Sequence, residues 1–500
     1  MGSSLILSVV AIYFLVLLVI AWITSRGANN SEFFIGHRSS RWYLVAYGMI
    51  GTSLSGVTFM SVPGGVLTQH FFYLQIVIGY FIGYMIVAFV LLPLYYRLHL
   101  TSIYSYLGER FGSTSYMTGA GFFLLSRTLG ACARIYLVLN VLQVFILDSW
   151  GVPFAVTTAL ILLMILLYTY QGGVKTIVWT DTLQTTFMIL ALVVTVWFIS
   201  DTLGLSASSL LHTLSDRGYS QVFNTDWHSP FFLLKQILSG AFVTVAMTGL
   251  DQEMMQKNIS CKSLKDAQKN MIVFSITLVL VNLLFLILGG ALYLYLTANK
   301  IPMPGTINAA NIFVPNYDHV FATIAIKHLP PFVGLIFIIG LVSALFPSAD
   351  GAMTALTSSF CIDILGLDKQ NKSEEAKTRT RKTVHLCVVV IFLLCILLFK
   401  WINTGSVITL ILKIAGYTYG PLVALYVLGL YSHIKLKERL VPFICIAAPL
   451  ITYLIEYFVN TNAALSPAAY KMGFEIAFIN VAITLAGLWL IQERNKSFLD

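Results

Sequence analysis

Residues 46–63 read AYGMIGTSLSGVTFMSVP, and how this stretch is read decides the fold. It lies in an apolar run that starts at Trp42 and is long enough to cross a bilayer. Its middle, Gly51-Thr52-Ser53-Leu54-Ser55-Gly56, suits a spanning helix poorly, because glycines and hydroxyl residues weaken helix propensity. In lipid, each backbone carbonyl freed by a break needs another partner. Two readings are open at this point. A helix broken at the membrane midplane exposes carbonyls to a cation and helix ends to a substrate. A run of small residues can also be a surface on which helices pack closely.

The rest of the chain sets the context. Apolar residues make up 58% of the 500 positions and charged residues only 10%, with a mean hydropathy of +0.84. Apolar stretches of about 20 residues recur from end to end, each able to span about 30 Å as a helix. The class is therefore an all-α integral membrane protein, 1–500 forming one transmembrane unit. Thirteen spans are expected, at roughly 4–25, 42–62, 73–95, 116–147, 153–170, 178–200, 231–256, 270–298, 333–360, 384–400, 405–431, 440–459 and 471–491. The first run, Leu5 to Ile23, lacks a basic leader and a small-residue cleavage site, so it reads as a retained span.

The net charge of +9 comes from basic residues in short loops, a topology signal that excludes nucleic acid as a partner. Twenty-one loop cations, among them Arg26, Arg38, Lys257, Lys262, Arg494 and Lys496, fall on one side. Five fall on the other: Arg217, Lys300, Lys327, Lys400 and Lys471. This asymmetry places the N-terminus outside and the C-terminus in the cytoplasm of a cell (inner) membrane. The charged stretch 367–383 reads as a solvated connector near lipid headgroups. Loops 201–230 and 299–332 have room for short interfacial helices or a lid. The six cysteines show neither disulfide nor metal spacing.

Charges inside the spans carry the functional signal, since each costs about 3 kcal/mol or more at membrane depth. Arg127 and Arg134 are two turns apart and share a face of the fourth span. Lys413 precedes a second interruption, Gly416-Tyr417-Thr418-Tyr419-Gly420-Pro421, and Lys235 lies near a span end. Asp181, Asp251 and Asp350 are the acids singled out within or beside spans, and they are few enough that the cations look under-compensated. The arginines and Lys413 are read either as structural ion pairs or as a positive lining for an anionic substrate.

Several tracts resemble the sodium/solute symporter family: Ile177–Asp181 (IVWTD), YYRLHLTSIYSYLGERFG from Tyr95 to Gly112, TGLDQEMMQK, and GYTYGPL. The resemblance runs from about residue 30 to about 440. It implies the leucine-transporter-like 5+5 inverted repeat with broken helices. Repeat 1 would be 42–200 and repeat 2 would be 231–431, with accessory segments at 1–41 and 432–500. It also implies a sodium site built from the carbonyls of Gly51, Leu54 and Ala344 and the hydroxyl of Ser348, with Asp181 beside it. This chain departs from the family at Pro347, where a second ligand hydroxyl would stand. The substrate residues implied are Ser53, Ser55, Thr58, Tyr73, Gln75, Tyr80, Thr244, Met247 and Thr248. Arg127, Arg134 and Lys413 join them on the charge argument above. The arginine of the sialic acid branch falls on Gly130, one turn from Arg127 and from Arg134.

The expected function is sodium-coupled symport of a small organic solute by alternating access. An anionic, carboxylated sugar of the sialic or muramic acid type is favoured over a neutral sugar or polyol. A passive channel is the remaining alternative. An enzyme is not expected, since no metal-binding histidine cluster, GxSxG elbow or phosphate loop is present. Sodium serves as coupling ion, no cofactor is implied, lipid surrounds the chain, and a monomer is expected.

Overall fold

The computed structural model describes residues 3–24, 40–100, 102–170, 174–307, 312–402, 407–463, 470 and 472–493. Of the loop cations named above, Arg26, Arg38, Lys471, Arg494 and Lys496 lie outside the described residues. The described chain is a helical assembly. Its main helices open with α1 (Ser3–Thr24), α2 (Trp42–Ser53), α3 (Gly56–Gln69) and α4 (Tyr73–Ile86). Next come α5 (Ser113–Leu142), α6 (Phe154–Thr169), α7 (Val174–Thr202) and α8 (Leu233–Thr244). They continue with α9 (Gln252–Ile259), α10 (Leu264–Ala298), α11 (Pro331–Ser359) and α12 (Glu374–Ile402). The last four are α13 (Val407–Thr418), α14 (Gly420–Tyr431), α15 (Val441–Ala463) and α16 (Ile476–Leu490).

Among the described residues, eight helices are long and apolar enough to cross a membrane, or up to eleven if each of three bent pairs is one span. The helices Phe154–Thr169 and Ile476–Leu490 are apolar but shorter. Thus the expected thirteen elements all have helical counterparts, while length and composition by themselves support eight to eleven crossings.

The stretch at 46–63 is a broken helix. Leu54 leaves the helical region with ψ 83°, Ser55 is extended with ψ 173°, and the axis turns by 58°. Among the described residues, no backbone N–H donates to the carbonyl of Gly51 or Leu54. The packing reading also holds beside the break, because a Cβ on Gly56 would stand 2.0 Å from Val138 Cγ2 of α5. The second break separates α8 from α9 and turns the axis by 68°. There Asp251 caps α9, its carboxylate accepting from the Met254 N–H at 3.2 Å. The third, between α13 and α14, turns it by 43°. Pro421 removes the N–H that the Tyr417 carbonyl would accept. The Asn480 amide of α16 takes its place, donating to that carbonyl at 2.7 Å and to that of Gly416 at 3.0 Å.

Helices α4 and α8 meet backbone to backbone. A Cβ on Gly240 would lie 2.1 Å from the Ile76 carbonyl oxygen, and one on Gly79 2.2 Å from that of Ile237. Small residues permit this approach in a membrane, where no hydrophobic force drives helices together. Gly240→Leu is therefore expected to pry the pair apart at a cost of about 1–3 kcal/mol. A thermal melt and the size-exclusion profile of the purified variant check this, and wild-type behaviour in both would rule the close crossing out.

The two long loops carry structure. Loop 201–230 holds a helix, Ala207–Asp216, capped by Ser206. Loop 299–332 holds an antiparallel hairpin, Gly305–Ile307 with Phe313–Pro315. The charged stretch 367–383 is a connector only in its first part, since α12 is helical from Glu374 onward.

Candidate functional site

The first two of the three broken helices line a common cavity of about 110 Å³. Broken helix α2–α3 contributes Ser53, Leu54, Ser55 and Thr58, α4 contributes Tyr73 and Tyr80, and α5 contributes Arg127 and Arg134. Helix α8 and its extension contribute Thr244, Met247 and Thr248. Sequence reasoning had not singled out Tyr84 and Asn282, which also line it. A larger vestibule of about 670 Å³ adjoins, lined in part by the hairpin residues Thr306 and Val314, and the two cavities share Tyr73. The hydroxyls of Tyr73 and Tyr80 stand 3.4 Å apart where they meet.

Two expected substrate residues are placed elsewhere. Gln75 is fully buried and ties loops together. Its amide donates to the carbonyls of Phe72 (3.2 Å) and Phe231 (3.1 Å), and its oxygen accepts from the Asn224 N–H (3.1 Å). Lys413 points away from the cavity and pairs with Glu456 of α15 at 2.6 Å. The helix phase puts Ile411 and Leu412 on the cavity wall instead. Lys235 pairs with Glu475 at 3.2 Å.

Helix α9, which lines the cavity at Met254 and has all eight of its residues buried, seals it there. A charged network runs through this seal. Arg127 pairs with Glu253, and its Nε lies 3.6 Å from Asp251 Oδ2. Lys257 Nζ lies 2.7 Å from Asp181 Oδ2, 2.7 Å from Thr52 Oγ1 and 3.4 Å from Glu253 Oε1. Thr52 Oγ1 in turn lies 3.1 Å from Asp181 Oδ2. Helix α11 closes over the network at Gly351, where a Cβ would come within 2.1 Å of Glu253 Oε1. Tyrosine hydroxyls hold the break in place, Tyr95 donating to the Gly249 carbonyl at 2.8 Å and Tyr104 to that of Leu250 at 2.9 Å.

This network corrects two sequence expectations. Lys257 is not a loop cation but 4% exposed on α9. Nor is Arg127 an uncompensated charge, because Glu253 and Asp251 neutralise it. Glu253 had not been singled out at all. Its signal was present in Asp251-Gln252-Glu253, followed at i+4 by Lys257, directly after the glycine break. Arg134 is different. It lines the cavity half-buried, and among the described residues no ion pair reaches it.

Of the expected sodium residues, Leu54 is on the cavity wall, and Gly51 packs on α7 beside Asp181 and Thr185. Ala344 and Ser348 are buried on α11. The Ser348 hydroxyl and Asp181 Oδ1 are both buried without a hydrogen-bond partner. Carbonyls, a hydroxyl and a nearby carboxylate are hard oxygen donors of the kind an alkali cation takes.

A sodium/sialic acid symporter of Proteus mirabilis is 23% identical over 438 residues, covering 83% of this chain and 82% of its own. A mouse sodium-coupled monocarboxylate transporter 1 is 25% identical over 441 residues, covering 86% of this chain and 68% of its own. A solved structure of a Na+-coupled sialic acid symporter, substrate-bound and outward-open, superposes with a TM-score of 0.79 at 19% identity. It covers 98% of this chain and 99% of its own, and the two share the fold. The model of the sodium:solute symporter family matches residues 33–437, and the chain belongs to that family.

Proposed function

We propose that this protein imports a small organic monoanion together with sodium, the solute being a carboxylated sugar of the sialic acid type. The observation that carries the reading is Arg134: a half-buried guanidinium on the cavity wall, with no ion pair among the described residues. A buried charge of this kind is costly unless a ligand neutralises it, and the guanidinium fork fits a carboxylate in a bidentate way. Relatives named for sialic acid and for monocarboxylates support the charge assignment. The hydroxyls of Ser53, Ser55, Thr58, Thr244 and Thr248 suit the rest of a sugar.

Sodium would bind the Gly51, Leu54 and Ala344 carbonyls and Ser348, with the free oxygen of Asp181 adding negative potential. Bound there, it holds α2–α3 in its broken form and so favours the solute-binding conformation by differential affinity. Opening the α9 seal then releases both. The membrane potential adds about 2.3 kcal/mol per 100 mV only for each sodium beyond the one that balances the solute's charge. Thirteen crossings are inferred by counting the two shorter helices, with 42–200 and 231–431 as the inverted repeats. In an inner membrane the vestibule then faces outward, the N-terminus lies outside and the C-terminus in the cytoplasm, and one chain is the transport unit.

The test is a thermal-shift and competition panel in sodium buffer, setting each acid against its methyl ester and its neutral parent sugar. Acids should compete and esters should not. Equal binding by neutral sugars would turn the assignment to a neutral sugar or polyol. For sodium, Ser348→Ala removes the hydroxyl ligand of the set and should raise the sodium concentration for half-maximal uptake several-fold, by about 1 kcal/mol. An unaltered sodium curve would remove Ser348 from the site.

A further inference from the structure

The lysine in the seal occupies a place where a mobile cation is expected. Lys257 Nζ contacts Asp181 Oδ2 and Thr52 Oγ1, each at 2.7 Å. Thr52 sits between Gly51 and Leu54, the residues whose carbonyls the break releases. An ammonium group and a dehydrated alkali ion ask for the same surroundings, oxygen donors and negative charge. On the facing helix, Pro347 offers neither hydroxyl nor N–H, which leaves the unpartnered hydroxyl of Ser348.

Charge balance points the same way. Two cations, Arg127 and Lys257, meet three carboxylates, Asp181, Asp251 and Glu253. Asp350, on α11, directs its carboxylate to the Tyr168 hydroxyl at 2.7 Å and to the Gly351 N–H at 2.6 Å. The ion-paired set of Arg127, Lys257, Asp181, Asp251 and Glu253 thus retains one negative charge, beside the hydrogen-bonded Asp350.

We propose that the Lys257 ammonium is a tethered cation that takes the place of one sodium ion at Asp181, so that the protein couples to a single mobile sodium. The proposal rests on the sodium site described under the proposed function, and it assigns Lys257 the setting of ion stoichiometry. Removing the ammonium would hand Asp181 Oδ2 and Thr52 Oγ1 to solvent cations as two adjacent oxygen donors, creating a second site.

The experiment is the sodium dependence of thermal stability for purified wild-type protein and Lys257→Met. Stabilisation by a ligand grows with the logarithm of its concentration once it exceeds the Kd, and the slope counts the ions bound. Wild-type protein should show the slope of one ion. Lys257→Met should melt lower without sodium and show about twice that slope, with a sodium Hill coefficient for uptake rising from one toward two. A lower melting point with the wild-type slope means that Lys257 is structural only and overturns the proposal. A wild-type melting point indifferent to sodium overturns the underlying site, and the proposal with it. Should Lys257→Met fail to fold, the ratio of radiolabelled sodium to solute taken up by wild-type proteoliposomes decides: one supports the proposal and two overturns it.

Discussion

Replacing Glu253 by alanine is expected to cost about 3–5 kcal/mol of stability, the largest effect of any single change in the α9 seal. The carboxylate serves two cations at once, pairing with Arg127 and approaching Lys257 Nζ at 3.4 Å. Its removal leaves a buried guanidinium whose Nε already lacks a hydrogen-bond partner. Gln252 and Met254 flank it on a helix with no exposed residue, and Asp251, 3.6 Å from the Arg127 Nε, is the carboxylate that remains beside the guanidinium. Arg127→Met should be similarly harmful. The double variant Arg127→Met with Glu253→Met should cost less than the two single costs together, by about 0.5–3 kcal/mol, because it removes charge and partner together. Melting curves of the four proteins in one detergent close the cycle. Strict additivity would mean that the pair is not coupled in the folded state.

Arg134→Ala is expected to weaken binding of an anionic solute by about 2–5 kcal/mol, the cost of truncating one partner of a buried charge pair, or roughly 30- to several-thousand-fold. The guanidinium lines the cavity beside Tyr73 and Tyr80 and has no ion pair among the described residues. Its loss therefore leaves no orphaned protein carboxylate, and expression and melting point without solute should stay near wild type. This separates Arg134 from Arg127, two turns away on the same helix, whose loss should harm folding first. A neutral ester should bind the variant and the wild type alike. Equilibrium binding of the acid and its ester to both proteins reads the difference. If Arg134→Ala binds the acid as tightly as wild type does, the anion assignment fails.

The membrane class and two of the three breaks were legible in the sequence because their causes are local. Twenty apolar residues in a row must span or be buried. Glycines and hydroxyl residues at 51–56 weaken a helix wherever it sits, and Pro421 deletes an N–H whatever surrounds it. Most cavity residues came instead from the family resemblance: Ser53, Ser55 and Thr58 lie in or beside the 51–56 interruption, whereas Thr244 and Thr248 precede the α8–α9 break, which no local reading had marked. The pairing of charges was not legible. Arg127 and Arg134 are seven residues apart and share one helix face, so no local rule distinguishes them. What separates them is where α9 comes to rest, carrying Glu253 from 126 positions away. Lys257 read as a loop cation because hydropathy judges a residue by its neighbours in the chain. It is buried because Asp181 and Thr52, 76 and 205 positions distant, meet it there. Gln75 and Lys413 were misplaced likewise, one held by the Phe72 and Phe231 carbonyls and the other by Glu456. Helix periodicity is written in bonds four residues apart, whereas the partner of a buried charge depends on which remote helix the packing delivers to it.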